Sequence, residues 1–363
     1  MGYEIGYGDY PQLEGVRRVL VIKLRQLGDV LLTGPVFSAL KKRLPHAKID
    51  AYVYSESAPL LKEHPGIDGL VCYDRGWKSL SWPKRLWQEL RLLKRIRDAR
   101  YDLVINLTEG ERGLFAAKFS KAPIRVGFDP KKKRFQKLYT HRAKNCPSLR
   151  HTVERNLDAV RRIGIFPAEE ERELFLEVDP GALDRMKRKI SGPFILIHPT
   201  SRWMFKSWPV QKLQELAERL CADGLQLVFT SGPDSAEMEY IRRATQGLDV
   251  VNLSGQLSLE ELVALVSLSN LLFCVDSLPF HIASALKKPV VALFGPTSEV
   301  TWGAWKNEAA TVITLPMSCR PCYQDGCGGS KVSDCLVRIS VEEVYLLLLK
   351  KMRSSVDYEF CCS

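Results

Sequence analysis

A glycine and an aspartate follow the first apolar run of the chain. The run over 19–23 is typical of a buried strand, and a short loop with Gly28 and Asp29 joins it to a helix predicted to begin near Thr33. In an open α/β sheet, ligands bind just past the carboxyl end of such a strand. A carboxylate there can act as a general base, or it can cap the next helix by accepting hydrogen bonds from free backbone N–H groups. The pattern leaves both roles open.

Two hydroxyl groups and a lysine follow a strand-like run in the second half of the chain. The segment HPTSRWMFKSWP places Thr200, Ser201 and Lys206 in a loop before a helix predicted to begin near Pro209. Hydroxyl groups, an ammonium and a helix N-terminus together favour phosphate binding, although a lone loop lysine is usually only solvated. Comparable turns follow later strand-like runs, at 232–234, 276–277 and 295–297. A row of such turns is typical of a cleft that binds nucleoside diphosphates.

The elements that must position these residues alternate between strand and helix. Short apolar runs predict strands at 19–23, 49–54, 70–73, 103–107 and 125–127, and again at 194–198, 225–230, 250–253, 271–275 and 290–294. Helical stretches separate these runs. Strict alternation implies parallel sheets with right-handed crossovers, so the sequence predicts an α/β fold with two doubly wound domains.

The domain boundary is predicted in the segment where a helix ends and the charged stretch AEEERELFLEVDPG begins. We therefore expect a first domain over 1–168, a second over 169–339, and a C-terminal helix and tail over 340–363. The last helix, predicted over 341–351, carries leucines on one face. We expect it to cross back onto the first domain.

Positive charge is concentrated in one stretch of the chain. The 363 residues carry a formal net charge of +11. Residues 75–162 alone hold 24 Lys and Arg against 8 Asp and Glu, a net +16, which leaves about −5 for the rest. A one-sided positive field favours nucleic acid, an anionic membrane surface or a phosphorylated glycolipid as partner. Composition does not choose among the three.

Two segments carry much of this positive charge. The pattern over 82–98 predicts a basic amphipathic helix, and we favour packing on its own domain, with a solvated charged face, over attachment to a membrane. The basic run 131–137 is predicted to be a loop, either solvated or in contact with phosphate. The apolar positions of the helix are Trp82, Leu86, Leu90, Leu93 and Ile96.

The chain has no run of 18 apolar residues and no N-terminal basic segment followed by an apolar one. We therefore expect neither a membrane span nor a secretory signal. Ten cysteines are under 3% of the chain, which favours reduced thiols and a cytoplasmic protein. Four cysteines could hold a structural metal ion tetrahedrally, but their gaps fit no standard pairing, and we favour free thiols in an ordered loop. These four are Cys319, Cys322, Cys327 and Cys335.

Taken in order, these motifs resemble the bacterial heptosyltransferases of glycosyltransferase family nine, and most of all their heptosyltransferase III branch. The segments that carry the resemblance are LRQLGDVLLTGPVFSAL, YDLVINL, HPTSRWMFKSWP, TSGPD, LSGQLSLEELVAL, VDSLPFHIASAL and ALFGPT. The resemblance implies a GT-B fold, in which two Rossmann-like domains face each other across a cleft. It also implies that the acceptor binds the N-terminal domain and ADP-heptose mainly the C-terminal one.

The resemblance further implies a role for each matching residue. Asp29 matches the general base, and Lys206 matches the lysine that neutralises the leaving diphosphate. Asp276 matches the acid that contacts the sugar. Asp234 lies where the family has an acid near the ribose, and Leu257 where the family lines the adenine pocket. The remaining donor-side positions are Thr200, Ser201, Ser277, Leu278, which replaces a glycine of many relatives, and His281, for which a structural hydrogen bond is the favoured alternative.

The implied activity is inverting, metal-independent transfer of heptose, without a cofactor, from ADP-L-glycero-D-manno-heptose to the inner core of lipopolysaccharide. The heptose added is expected to be the third, side-branch one. We expect a monomer at the cytoplasmic face of the inner membrane that does not bind nucleic acid. Another nucleotide-sugar donor, or noncatalytic binding of a polyanion, are the alternatives. From charge and position, the acceptor-side residues are predicted to be Gly28, Arg112, Lys131, Lys132 and Lys133.

Overall fold

The computed structural model describes residues 9–130, 132–144 and 148–361, with side chains described up to residue 353. The chain divides into two compact units between Glu177 and Val178. The charged segment that begins near residue 168 stays with the first unit, because its short 3-10 helix Glu169–Arg172 packs on a helix of that unit. An ion pair between Lys42 and Glu171 supports that contact.

The first unit is built on a six-stranded parallel sheet in the order β3-β2-β1-β4-β5-β6. All but one residue of the central strand β1 are buried, as expected for a strand covered on both faces. The strands are β1 (Arg18–Lys23), β2 (Lys48–Tyr54), β3 (Gly69–Tyr73), β4 (Leu103–Asn106), β5 (Ile124–Phe128) and β6 (His141–Ala143). The helices are α1 (Leu27–Leu31), α2 (Gly34–Arg43), α3 (Trp82–Asp98), α4 (Glu111–Phe119) and α5 (Thr152–Arg161).

The second unit repeats this topology, with the strand order β12-β11-β10-β7-β8-β9. Read from β9, the order is again 3-2-1-4-5-6 in the unit's own numbering, the order of a Rossmann fold. The strands are β7 (Ile195–His198), β8 (Leu227–Phe229), β9 (Val251–Asn252), β10 (Leu271–Val275), β11 (Val290–Leu293) and β12 (Ala310–Ile313). The helices are α6 (Pro180–Lys189), α7 (Val210–Ala222), α8 (Ser235–Ala244), α9 (Leu259–Leu268), α10 (Leu278–Ala285), α11 (Glu299–Trp302), α12 (Asp334–Val337) and α13 (Val341–Cys361).

The prediction of two doubly wound α/β domains is confirmed. Every strand predicted from an apolar run is present, and β10 has the predicted bounds. The two strands that the prediction omits, β6 and β12, each lie at the edge of their sheet. Among the described residues, no helix is long and apolar enough to cross a bilayer.

The C-terminal helix α13 packs on the second unit over the part whose side chains are described. Val344, Leu348 and Met352 lie at four-residue spacing and are buried in the apolar core of that unit. Arg219 of α7 also forms an ion pair of 2.7 Å with Glu342. The predicted return of the helix to the first domain stays a prediction.

Candidate functional site

Each sheet has one point where the winding direction of the chain reverses. In the first sheet it lies between β1 and β4, and in the second between β7 and β10. Ligands of doubly wound folds bind outside the carboxyl ends of the strands at such a point. Asp29 follows β1, Lys206 follows β7 and Asp276 follows β10. The fold therefore places the residues predicted to be functional where ligand binding is expected.

In the first unit, Gly28 and Asp29 lie within the short helix α1, not in the loop that the sequence predicted. The N–H groups of Leu32 and Thr33 close this helix by donating to carbonyls of α1. Thr33, not Asp29, is the N-cap of α2, so the capping alternative for Asp29 is wrong. The Asp29 side chain keeps 13% of its surface exposed, with Oδ1 at 3.9 Å from Arg25 Nε.

A lysine that the sequence analysis overlooked lies close to this carboxylate. Lys23, the last residue of β1, is only 6% exposed, and its Nζ donates to Asn156 Oδ1 at 3.1 Å and to the Leu107 carbonyl at 3.3 Å. Burial lowers the pKa of Lys23 to about 8, and the negative charge of Asp29 partly counteracts this. The sequence signal for Lys23 is a lysine at the end of an otherwise apolar strand. Such a lysine is expected to be buried, and a buried ammonium needs specific partners.

In the second unit, the predicted phosphate-binding lysine is part of a buried ion pair. Lys206 Nζ lies 2.6 Å from Asp276 Oδ2, and the two side chains are 10% and 6% exposed. The ammonium also faces the ring of Trp203 at 5.1 Å from its centroid. Lys206 is therefore not a solvated loop lysine, which was the alternative interpretation of this position. Its ammonium is fixed where β7 and β10 end.

A carboxylate that the sequence analysis missed holds Thr200. Glu237, in the first turn of α8, is 6% exposed; its Oε2 accepts a 2.6 Å hydrogen bond from Thr200 Oγ1 and another, at 3.2 Å, from the Gly232 N–H. These contacts join the ends of β7 and β8. The sequence signal that could have identified Glu237 is an acidic residue shortly after Gly232, the glycine that follows β8. Burial also lowers the pKa of His198, the last residue of β7, to about 4, so this ring is neutral at pH 7.

Other predicted donor-side residues have local structural contacts. Ser201 Oγ donates to the Trp203 carbonyl at 2.9 Å. Asp234 is exposed and is the N-cap of α8, with Oδ1 accepting from the Ala236 N–H at 2.9 Å. Leu257 is half-buried, just before α9. None of these contacts tests the predicted ligand roles, which stay predictions.

The segment after Asp276 forms the start of α10. Ser277 is its N-cap residue and Leu278 its first residue, both half-buried. His281 is 4% exposed, and its ring packs against Phe280 and Trp302, with centroid distances of 5.7 and 6.4 Å. This packing tests neither the predicted ligand role of His281 nor its structural hydrogen bond, and both stay predictions.

The predicted acceptor-side cations lie on the first unit. Arg112 stacks over the ring of Tyr73 at 4.1 Å from its centroid, and its guanidinium lies 3.6 Å from Glu89. Lys132 forms a 2.6 Å ion pair with Glu111 across exposed surface. Lys133 begins the 3-10 helix Lys133–Leu138, so most of the predicted loop is helical. Lys131 lies outside the described residues.

The cysteine-rich segment that runs from the end of β12 into α12 encloses a small cavity lined by Cys319, Cys322, Cys327 and Cys335. Each of these is a free thiol, and burial raises the pKa of Cys335. Within the described part of the chain, no three His, Cys, Asp or Glu side chains are placed to hold a metal ion.

Two doubly wound sheets, each with polar side chains at its reversal point, form an architecture that is typical of nucleotide-binding proteins. The chain matches glycosyltransferase family 9 (heptosyltransferase) over residues 89–332. Lipopolysaccharide heptosyltransferase 3 of Escherichia coli strain K12 is 34% identical over 300 residues, which cover 78% of this chain and 83% of that protein.

Solved structures agree with this match. A glycosyl transferase family 9 protein from Veillonella parvula DSM 2008 has a TM-score of 0.78 at 22% identity, with 93% of this chain and 97% of that chain covered. The E. coli ADP-heptose LPS heptosyltransferase II has a TM-score of 0.74 at 22% identity, with 93% and 99% covered. The chain belongs to glycosyltransferase family 9, the heptosyltransferase family.

Proposed function

We propose that this enzyme transfers heptose from ADP-L-glycero-D-manno-heptose to the inner core of lipopolysaccharide, with inversion at the anomeric carbon, and that it adds the third, side-branch heptose. The observation that carries the proposal is the Lys206 ammonium fixed by Asp276 at the reversal point of the second sheet. A cation in that position suits the diphosphate of a nucleotide sugar. The names of the relatives support heptose as the sugar and lipopolysaccharide as the acceptor.

Lys206 stabilises the leaving group. An ammonium has three N–H donors, and Asp276 accepts through its carboxylate at 2.6 Å and its carbonyl at 3.5 Å. A donor remains for a phosphate oxygen of ADP. Negative charge develops on the diphosphate as the glycosidic bond breaks, and a cation already in place stabilises that charge without reorganisation. Thr200, Ser201 and Ser277 complete the phosphate cradle once their hydroxyl groups, which here donate to Glu237 and to the carbonyls of Trp203 and Val275, turn to the phosphate.

Asp29 is the general base. The acceptor hydroxyl oxygen attacks the anomeric carbon, its proton passes to the Asp29 carboxylate, and the bond from that carbon to the diphosphate oxygen breaks. A single displacement inverts the configuration. The reaction needs neither a metal ion nor a cofactor, because Lys206 supplies the positive charge that a bound cation would otherwise provide.

The remaining contacts divide between donor and acceptor. On the donor side, Asp276 binds the sugar, Asp234 lies near the ribose and Leu257 borders the adenine; Leu278 and His281 shape the start of α10. On the acceptor side, the basic residues of the first unit bind the phosphates and acidic sugars of the lipopolysaccharide core. These acceptor-side residues are Gly28, Arg112, Lys131, Lys132 and Lys133. The enzyme works as a monomer at the cytoplasmic face of the inner membrane.

We expect transfer to depend on the proton of Lys23. Its ammonium holds positive charge beside Asp29 at the acceptor side, and with a pKa of about 8 this charge is present below pH 8 and lost above it. The pH profile of kcat/KM for the acceptor should therefore fall above about pH 8. Lys23→Arg should move that fall to higher pH, because a guanidinium stays protonated.

Lys23→Gln serves as the neutral control for this prediction. It should lower kcat/KM below pH 8 and remove the alkaline fall. Thermal unfolding of both variants shows whether the fold is intact. If kcat/KM of the wild type stays constant up to pH 9, or if kcat/KM of Lys23→Arg falls at the same pH as that of the wild type, the proton of Lys23 does not control transfer.

Competition between nucleotides separates the proposed donor from the alternatives. With an adenine pocket at Leu257, ADP should inhibit transfer at concentrations at least about tenfold below those of UDP, since specific base contacts contribute on the order of 1.4 kcal/mol or more. Preference for UDP would favour another nucleotide sugar. Binding of polyanions that collapses with salt, without inhibition by either nucleotide, would favour noncatalytic binding.

A further inference from the structure

The surface of α3 presents apolar side chains to solvent that the sequence analysis expected to be packed. Trp82, Leu86 and Leu90 are spaced four residues apart and are 74%, 40% and 56% exposed. Trp87, on the adjoining strip of the helix, is 58% exposed. Four large apolar residues on one surface of a single helix exceed the scattered exposure that is normal for a folded protein.

Other residues of α3 already hold the helix on its own unit. Leu92 and Ile96 are buried in the apolar core of the first unit. On a helical projection Leu90 lies about 120° from Ile96 and about 160° from Leu92. Trp82 lies only about 40° from the line of Ile96, but it is the first residue of the helix and is 74% exposed. The expected packing of the helix on its own domain is therefore present through Leu92 and Ile96, while the strip of Trp82, Leu86 and Leu90 is left uncovered.

Basic residues surround the exposed strip. The helix carries six Lys and Arg against two acidic residues. Glu89 pairs with Arg85 at 3.3 Å, and Asp98 pairs with Lys94. Among the described residues, no ion pair engages the other four cations, and one of them, Arg91, lies over the ring of Trp87 at 5.3 Å from its centroid. The other three of these cations are Lys84, Arg95 and Arg97.

We propose that this face of α3, formed by Trp82, Leu86, Trp87 and Leu90 with the surrounding Lys and Arg, docks on an anionic lipid bilayer. Indole rings prefer the boundary between headgroups and acyl chains, and cations near it are attracted to anionic lipid. The helix lies in the interface and does not span it. A second copy of the chain is a poorer occupant, because pairing two such faces brings like charges together.

This docking deepens the membrane association that the proposed function includes, and it identifies the surface responsible. The experiment that tests the docking measures binding to lipid and does not require heptose transfer. Failure of heptose transfer and failure of docking are therefore distinguishable. Activity on a detergent-solubilised, truncated acceptor provides the separate readout for the site.

The experiment is cosedimentation of the full chain with vesicles of phosphatidylglycerol and phosphatidylethanolamine, compared with vesicles of phosphatidylcholine alone. We expect preferential binding to the anionic vesicles, weakened by about 0.5 M salt. The variant Trp82→Ser/Trp87→Ser should lower the partition coefficient by at least about tenfold. Lys84→Glu/Arg91→Glu should lower it similarly, through charge.

Phe166→Ser is the matched control, since Phe166 is also 58% exposed but lies outside α3. It should bind vesicles like the wild type. Because all these side chains are exposed, thermal unfolding and activity on the solubilised acceptor should stay unchanged, and Trp87→Ser alone provides a milder variant. Equal binding of wild type to both vesicle types, or wild-type binding by the double tryptophan variant, would overturn the proposal. A concentration-dependent dimer that the tryptophan variant abolishes, without lipid binding, would overturn it too.

Discussion

Replacing Asp29 with asparagine is expected to lower kcat for heptose transfer by about a thousandfold, within the range typical for loss of a general base. Asparagine keeps the size and shape of the side chain but cannot accept the proton of the attacking hydroxyl. The side chain keeps 13% of its surface exposed, which leaves the carboxylate accessible to a substrate hydroxyl. Steady-state release of ADP with saturating donor and acceptor measures the effect.

The loss should lie in kcat, with KM for the donor nearly unchanged, because the donor binds the second unit. Asp98→Asn, which changes an exposed acid of the same unit, is the matched control and should keep wild-type kcat. Asp29→Ala should behave like the asparagine variant. A loss below about tenfold in both Asp29 variants, with an intact fold, would exclude Asp29 as the base.

Replacing Lys206 with methionine is expected to lower kcat/KM for ADP-heptose by about a hundredfold to a thousandfold. The ammonium lies where β7 and β10 end, held by Asp276 at 2.6 Å, and its loss removes the charge that stabilises the departing diphosphate. Methionine keeps the length and apolar stem of lysine. The inhibition constant of ADP should rise as well, since product and leaving group share the contact.

Lys206→Met is also expected to destabilise the protein, because it leaves the buried Asp276 carboxylate without its cation. Removal of one partner of a buried pair costs about 3 to 5 kcal/mol. The variant Lys206→Met/Asp276→Asn removes both charges and should regain much of the lost thermal stability without regaining activity. Lys187→Met, on the exposed surface of α6, is the control. If the double variant recovers activity along with stability, the role of Lys206 is structural.

Much of the fold is predictable from this sequence, because central strands of parallel sheets are buried on both faces. The runs VLVIK and LLFCV contain almost only apolar residues, and both are strands in the structure. The edge strands β6 and β12 are harder, since an edge strand is partly solvated and its apolar pattern is weaker. HRA in β6 has only one buried residue.

The sequence predicts where in the fold the candidate site residues lie, but not which side chains they contact. Apolar runs and turn residues mark the strand ends, so the placement of Asp29, Lys206 and Asp276 just after strands could be predicted. The ion pair of Lys206 with Asp276 joins residues 70 positions apart, and the contact of Thr200 with Glu237 joins two different strand ends. Local pattern carries no information on such contacts. The exposure of Trp82, Leu86 and Leu90 could not be predicted, because periodicity marks an apolar face without showing what covers it.

Acceptor-dependent release of ADP by the purified enzyme, from ADP-heptose and truncated lipopolysaccharide, tests heptose transfer most directly. We predict one ADP released for each heptose transferred, no release without acceptor, and the same rate in the presence of EDTA. No release with any inner-core acceptor, or turnover of a uridine-linked sugar in place of ADP-heptose, would contradict the proposed function.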